Sequence, residues 1–127
     1  MERKSPAPLE TRILQVLWEL GAPSTVQEIC SAWKPRKETP GYTTVLKKLQ
    51  VMEEKGLISH EREGKAYRYL AAVRKREVEK AKLRELQDDL YAGDRMSFVL
   101  GFLDAAKVTE EELAEARRLL DGLKKGE

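Results

Sequence analysis

GYTTVLKKLQVMEEKGLISHEREGKAYRYLA, residues 41–71, is the stretch on which the fold turns. Val45, Leu46, Leu49 and Met52 recur at helical spacing, which predicts a helix over residues 41–55. Gly56 follows where a left-handed helix end favours glycine. Residues 57–62 and 66–70 then read as two short extended segments around Glu63, Gly64 and Lys65, and a glycine in so tight a connection supplies the positive φ of a hairpin turn.

Upstream, Leu9, Ile13, Val16, Leu17 and Leu20 keep helical spacing until Gly21 and Pro23 end the element. Ser24 and Thr25 precede Gln27 and Glu28 by three residues, so either frame makes a capping box. The helix it opens puts Val26, Ile29, Cys30 and Trp33 on one face and stops at Pro35. Residues 9–70 therefore read as helix, helix, helix, hairpin. Residues 1–8, with two prolines and no periodicity, are expected as a frayed lead-in.

Downstream the pattern is purely helical. Residues 74–91 form a charged amphipathic helix with Val78, Leu83, Leu86 and Leu90 as its apolar positions, broken at Ala92, Gly93 and Asp94. Residues 96–103, MSFVLGFL, are apolar almost all the way round. Thr109, with Glu112 three residues on, then opens a helix carrying Leu113, Ala116, Leu120 and Leu123. The expected architecture is mainly α with a small β wing: a winged helix-turn-helix over residues 1–72 and a helical dimerisation region over residues 73–127.

Composition narrows the function. The 127 residues are 41% hydrophobic and 36% charged, which suits a folded domain rather than a disordered chain. No apolar run approaches the roughly 18–20 residues that span a bilayer, and the charged, proline-bearing start carries no secretory signal, so a cytoplasmic protein without membrane contact is expected. One cysteine and one histidine leave no material for a disulfide framework or a Cys–His metal site, and no cofactor or metal is expected. Phosphate-binding glycine loops and hydrolase motifs are absent from the sequence, and the acidic runs at Asp88 and Asp89 and at Glu110, Glu111 and Glu112 are explained by helix geometry and capping; no enzyme is expected. Cys30 reads as a buried, inert thiol, His60 as a satisfied or solvated histidine, and Trp18 and Trp33 as core anchors.

The net charge of +2 says little, but its distribution says more. Residues 1–73 hold 12 Lys+Arg against 9 Asp+Glu, and between residues 34 and 48 stand Lys34, Arg36, Lys37, Lys47 and Lys48 against Glu38 alone. In a winged helix-turn-helix the last helix before the hairpin enters the major groove. Its first exposed residues here are Tyr42, Thr43 and Thr44, with Lys47 and Lys48 one turn on. Tyr42 suits either stacking on the backbone or stapling the helix start. Arg62, Lys65 and Arg68 sit on the hairpin, placed for backbone or minor groove. On pattern alone a protein-interaction module or scaffold without specific DNA binding stays open beside a DNA-binding reading.

Residues 41–71, together with LETRILQVLWELGAPSTVQEI upstream and YAGDRMSFVLGFL and EEELAEARRLL downstream, closely resemble the penicillinase-repressor family. The resemblance spans residues 9–123. It implies a dimeric repressor whose winged helix binds an inverted-repeat operator in double-stranded DNA and whose helical half dimerises. It puts Thr43, Thr44, Lys47 and Lys48 on the recognition helix and Arg62, Lys65 and Arg68 on the wing, with Thr25 offering its hydroxyl or backbone N–H to a phosphate. Copper-responsive relatives carry a C-terminal cysteine cluster, which the closing DGLKKGE does not. Relatives in antibiotic resistance answer to a membrane sensor-protease and are cut within the dimerisation region, which by position falls at Gly101 and Phe102 here.

The residues themselves also argue for dimerisation, beside the alternative of a self-contained three-helix bundle around one buried central helix. Three helices in about 54 residues cannot enclose Met96, Phe98, Val99, Leu100, Phe102 and Leu103 while Leu83, Leu86, Leu90, Leu113, Leu120 and Leu123 also want cover. A two-fold partner supplies the missing wall and calls for a palindromic site.

Overall fold

A computed structural model describes residues 5–125. The elements run α1 (Pro8–Leu20), α2 (Val26–Ser31), a short 3-10 turn (Arg36–Glu38), α3 (Tyr42–Glu54), β1 (Ile58–Glu63), β2 (Ala66–Ala71), α4 (Lys75–Tyr91), α5 (Arg95–Ala106) and α6 (Glu110–Lys125). This is the mainly α, winged-helix architecture expected from the pattern. Of the lead-in expected over residues 1–8, the first four lie outside the described residues. The rest is more ordered than its prolines suggest: Pro6 is buried, and its carbonyl accepts a hydrogen bond from Lys82 Nζ at 2.8 Å.

The described chain forms two compact units that divide between Leu83 and Arg84, inside α4. The core of the first unit is built from the apolar faces of three short helices. Ile13 and Leu14 of α1, Ile29 of α2, and Val45, Leu49 and Met52 of α3 are fully buried, with Leu57 and Ile58 closing the base of the hairpin. Burying each of these large side chains contributes about 1.5–3 kcal/mol. Truncating Leu49 to alanine at the centre of α3 would therefore cost about 2–5 kcal/mol and loosen the helix that carries the site.

Local chemistry sets where the elements stop. Gly21 ends α1 at φ 66, donating its N–H to Leu17 O at 3.0 Å. Thr25 and Glu28 form the reciprocal capping box at the start of α2, the threonine frame of the two open in the sequence. α2 ends earlier than its spacing suggests, at Ser31, because Lys34 precedes Pro35 and is pushed out of helical geometry. Trp33 is buried all the same, in the turn, with the Arg12 guanidinium 5.4 Å from its ring centroid. Trp18 packs at the edge of the core and donates its indole N–H to Val73 O.

The hairpin pairs Ile58 with Ala71 through to Glu63 with Ala66, leaving Gly64 and Lys65 as a two-residue turn in which Gly64 takes φ 62. A two-stranded hairpin is marginal alone. Here Ser24 adds a third-strand bridge, exchanging backbone hydrogen bonds with Tyr69 at 2.9 Å and 2.7 Å.

In the second unit a turn through Ala92 and Gly93, both at positive φ, leads to Asp94, which caps α5 by accepting from Ser97 N–H. Thr109 and Glu112 cap α6. The Tyr91 ring packs on Phe98, and the Tyr91 hydroxyl rests against Gly101, where an added Cβ would collide with it. Across residues 84–124 no residue is buried; Met96 is 64% exposed, Leu100 58% and Leu120 57%.

Candidate nucleic-acid interface

With Val45, Leu49 and Met52 turned to the core, α3 must present the opposite face outward. Thr43, Lys47 and Gln50 occupy that face at helical spacing, and all three are exposed. Thr44 flanks them, and Tyr42 at the first turn is 56% exposed. The helix starts on Gly41 with no side-chain cap, so its first backbone N–H groups lie unclaimed by a capping side chain. Among the described residues Lys47 has no hydrogen-bond or ion-pair partner.

Lys48 is placed differently. Its ammonium leans to 3.9 Å from Glu10 Oε2 on α1. Glu10 is a residue sequence reasoning passed over: a carboxylate only 1% exposed, accepting from Ala7 N–H at 2.9 Å and from Lys55 Nζ at 2.8 Å. Burial pushes its carboxyl up, but the Lys55 and Ala7 hydrogen bonds and the charges of Lys55 and Lys48 together bring it below the usual range. Glu10 thereby ties α1 to both the middle and the end of α3. The sequence signal was faint, an acid in the first turn of a helix.

The wing cations fall into two classes. Lys65 stands exposed at the turn, and Arg62 folds back on it, its Nε donating to Gly64 O at 3.2 Å and its guanidinium 5.9 Å from the Tyr67 ring centroid. Arg68 is committed within the protein. Its Nε donates to Glu63 at 2.6 Å and its Nη1 to Glu28 at 2.8 Å, so the second strand is strapped to the start of α2. Its hydrogen bond to Glu63 and the charges of Glu28 and Glu63 push the guanidinium still higher, while hydrogen bonds from Thr25 hold Glu28 below the usual carboxylate range. Thr25 is engaged in the same knot: its N–H donates to Glu28 Oε1, and its hydroxyl oxygen accepts from Glu28 N–H.

Tyr67 and Tyr69 share one face of β2, yet Tyr69 is buried and Tyr67 is not; the former lies toward the base of the hairpin, where Ser24 pairs with it. Cys30 is half-buried, and burial raises its thiol, which fits an inert cysteine. Beyond α3 and the wing, Arg36 and Lys37 add exposed cations on the 3-10 turn before the helix. Among the described residues there is no group of three side chains suited to hold a metal, and no helix long and apolar enough to cross a membrane.

A helix with an exposed Thr-Lys-Gln face beside a basic hairpin tip is the geometry of a winged-helix reader of duplex DNA. The family model described as "Penicillinase repressor" matches residues 6–122. The chain belongs to the penicillinase repressor family. Among its relatives, the penicillinase repressor of Bacillus licheniformis is 24% identical over 117 residues, covering 88% of this chain and 86% of that protein. Two solved structures of ZitR variants from Lactococcus lactis are each 19% identical. They cover 99% and 97% of this chain and 78% and 80% of those chains, at TM-scores of 0.46 and 0.38. As a penicillinase-repressor family member the chain is a DNA-binding transcriptional repressor and a regulator rather than an enzyme. No observation on the fold favours the scaffold reading over this one.

Proposed function

We propose that the protein is a homodimeric repressor that reads an inverted-repeat operator, with residues 1–72 on the DNA and residues 73–127 holding the dimer. The observation that carries the dimer is the bareness of the second unit. Residues 84–124 bury no side chain of their own, although Met96, Val99, Leu100, Phe102, Leu120 and Leu123 are large and apolar. Leaving that many large apolar side chains in water is unfavourable unless a partner covers them. A second copy, bringing the same face, is the occupant that also pairs two reading heads on one duplex.

In each half-site α3 enters the major groove. Thr43, Thr44 and Gln50 face base edges, Gln50 with the bidentate geometry that suits adenine. Lys47 neutralises phosphate, Tyr42 lies against the sugar-phosphate backbone, and Lys65 and Arg62 reach the flank. Lys48 and Arg68 take the lesser share, since each already faces a carboxylate. The hydroxyl hydrogen of Thr25 remains for a phosphate at the start of α2.

The test is equilibrium binding of the full chain to the DNA upstream of its own gene, beside a scrambled duplex of equal length, across a salt series. Tight binding to the first alone, two chains per site, with a steep salt slope, is expected; equal weak binding to both would refute operator recognition. Relief is proposed through a sensor-protease and a cut at Gly101–Phe102, in the middle of α5, which would remove the dimer wall and with it about 10²–10⁴ in avidity. Intact chain persisting in induced cells while the target gene is expressed would reject that route.

A further inference from the structure

One pair in the reading head is used neither by the core nor by the proposed contacts. His60 on β1 faces α3, and its Nδ1 lies 2.7 Å and 2.8 Å from the two carboxylate oxygens of Glu53. The imidazole also rests on Tyr67, ring centroids 4.7 Å apart, and stands 6.1 Å from Tyr69. Arg62 lies over the same Tyr67 ring. One line of contacts therefore runs from the recognition helix through Glu53, His60 and Tyr67 to a wing cation.

We propose that the His60–Glu53 pair is a positioning device that sets the wing against the recognition helix and makes DNA affinity depend on the charge of His60. The proposal rests on the α3-and-wing interface proposed above.

Packing fixes the base of the wing, and two features leave its set against α3 to the pair. The hairpin is anchored at its base by Ile58 and by the Ser24–Tyr69 bridge, and on its other face by Arg68 to Glu28. Toward α3, however, the hairpin is not packed solid. An open groove of about 410 Å³ lies there, lined by Gln50, Glu53, Glu54, His60, Tyr67 and Tyr69. The contact that spans it is His60 to Glu53. The second feature is charge. The last turn of α3 carries Glu53 and Glu54, and the cation at its C-cap, Lys55, is paired with Glu10 on α1. An imidazolium at His60 answers both the carboxylate and the helix end.

His60 is the chain's single histidine. The charged and titratable groups around it are Glu53 and Glu54 from α3, Tyr67 and Tyr69 from β2, and Arg62 on its own strand. Of these residue types, histidine alone ordinarily changes charge between about pH 5.5 and 8. Protonation converts the hydrogen bond to Glu53 into a charge-assisted ion pair, which is shorter and stronger. The wing is then held more firmly in its DNA-facing position as pH falls.

The experiment uses the full-length chain and a duplex enriched from a random-sequence pool on the parental protein, read by fluorescence anisotropy at constant ionic strength across this pH range. The parent is expected to bind about two- to fivefold more tightly at the acid end, the range a part-exposed ion pair supports. Glu53→Gln and His60→Gln should each flatten the profile, and the double variant should be no weaker than either single one. Thermal melts without DNA confirm that each variant folds. A flat parental profile overturns the proposal. So does a Glu53→Gln variant that keeps the full pH dependence, since that result would make His60 a direct phosphate contact. Lys47→Ala separates this proposal from its foundation. If Lys47→Ala weakens binding while the His60 and Glu53 variants match the parent at every pH, the pair's role fails and the interface stands. If Lys47→Ala binds like the parent, both fail.

Discussion

The sharpest consequence of the interface geometry is that two basic residues equal in charge, Lys47 on α3 and Arg68 on the wing, should behave differently on DNA. Lys47 projects from the outward face of α3 without a partner among the described residues, whereas Arg68 is held by Glu28 and Glu63 at 2.8 Å and 2.6 Å. Each phosphate neutralised contributes about 0.9 to the slope of log K against log salt. In the homodimer proposed above each substitution removes two such contacts, so Lys47→Ala should make the slope shallower by about 1.8. Between about 50 and 200 mM salt that difference compounds to about twelvefold, with the variant losing that much less affinity than the parent. Arg68→Ala should change the slope by less than half as much, because the arginine's charge is already countered inside the protein. The assay is anisotropy of a labelled operator duplex at four or five salt concentrations. A Lys47→Ala slope equal to the parent's, or an Arg68→Ala slope as shallow as that of Lys47→Ala, would refute the assignment.

Other consequences follow from the same structure. Glu10→Gln removes a buried anionic acceptor between α1 and α3 and should cost about 1–2 kcal/mol in urea unfolding near neutral pH. Because the folded pKa of Glu10 lies below its ordinary 4.5, its contribution is present above that value and is lost as pH falls through the folded pKa. The parent and variant stabilities should therefore converge in acid, and a gap that widened there would contradict the pairing with Lys55. Leu100→Glu combined with Leu120→Glu should turn a dimer into a monomer by sedimentation and weaken operator binding by about 10²–10⁴; a parental chain that is monomeric at micromolar concentration would already dismiss the dimer. Gly101→Ala is a contest of signs. Helix propensity favours alanine by about 1 kcal/mol, and the Cβ meets only the hydroxyl tip of Tyr91, which can swing outward from a part-exposed position, so a higher melting temperature is expected and a lower one would show that Tyr91 is held against the helix.

The order of elements was legible because each carries its own local signal. The Thr25–Glu28 box, Gly21 at the end of α1, Gly64 in the hairpin turn and the 3-4 spacing of Val45, Leu49 and Met52 are chemistry confined to a few adjacent residues. Of the candidate site, the exposed start of α3 and the hairpin tip could be read the same way. What each cation is bound to could not. Arg68 meets Glu28 forty positions away, and Lys55 meets Glu10 across forty-five. Gln50 was passed over because its polarity is unremarkable until the outward face of α3 is known. The early stop of α2 was in principle readable from the proline after Lys34, but the run of apolar spacing through Trp33 masked it.

The sequence alone thus determined the helix-helix-helix-hairpin order, the almost all-round apolar character of residues 96–103 and, through its resemblance, the family. These depend on neighbours along the chain, and local backbone preference and apolar periodicity suffice to express them. Tertiary structure decided which charges are left to meet DNA. A lysine and an arginine are alike as letters; whether either has a carboxylate within 3 Å is settled only when distant segments fold together, and that places Lys47 and Lys65 toward the solvent and Arg68 and Lys55 toward the protein's own acids.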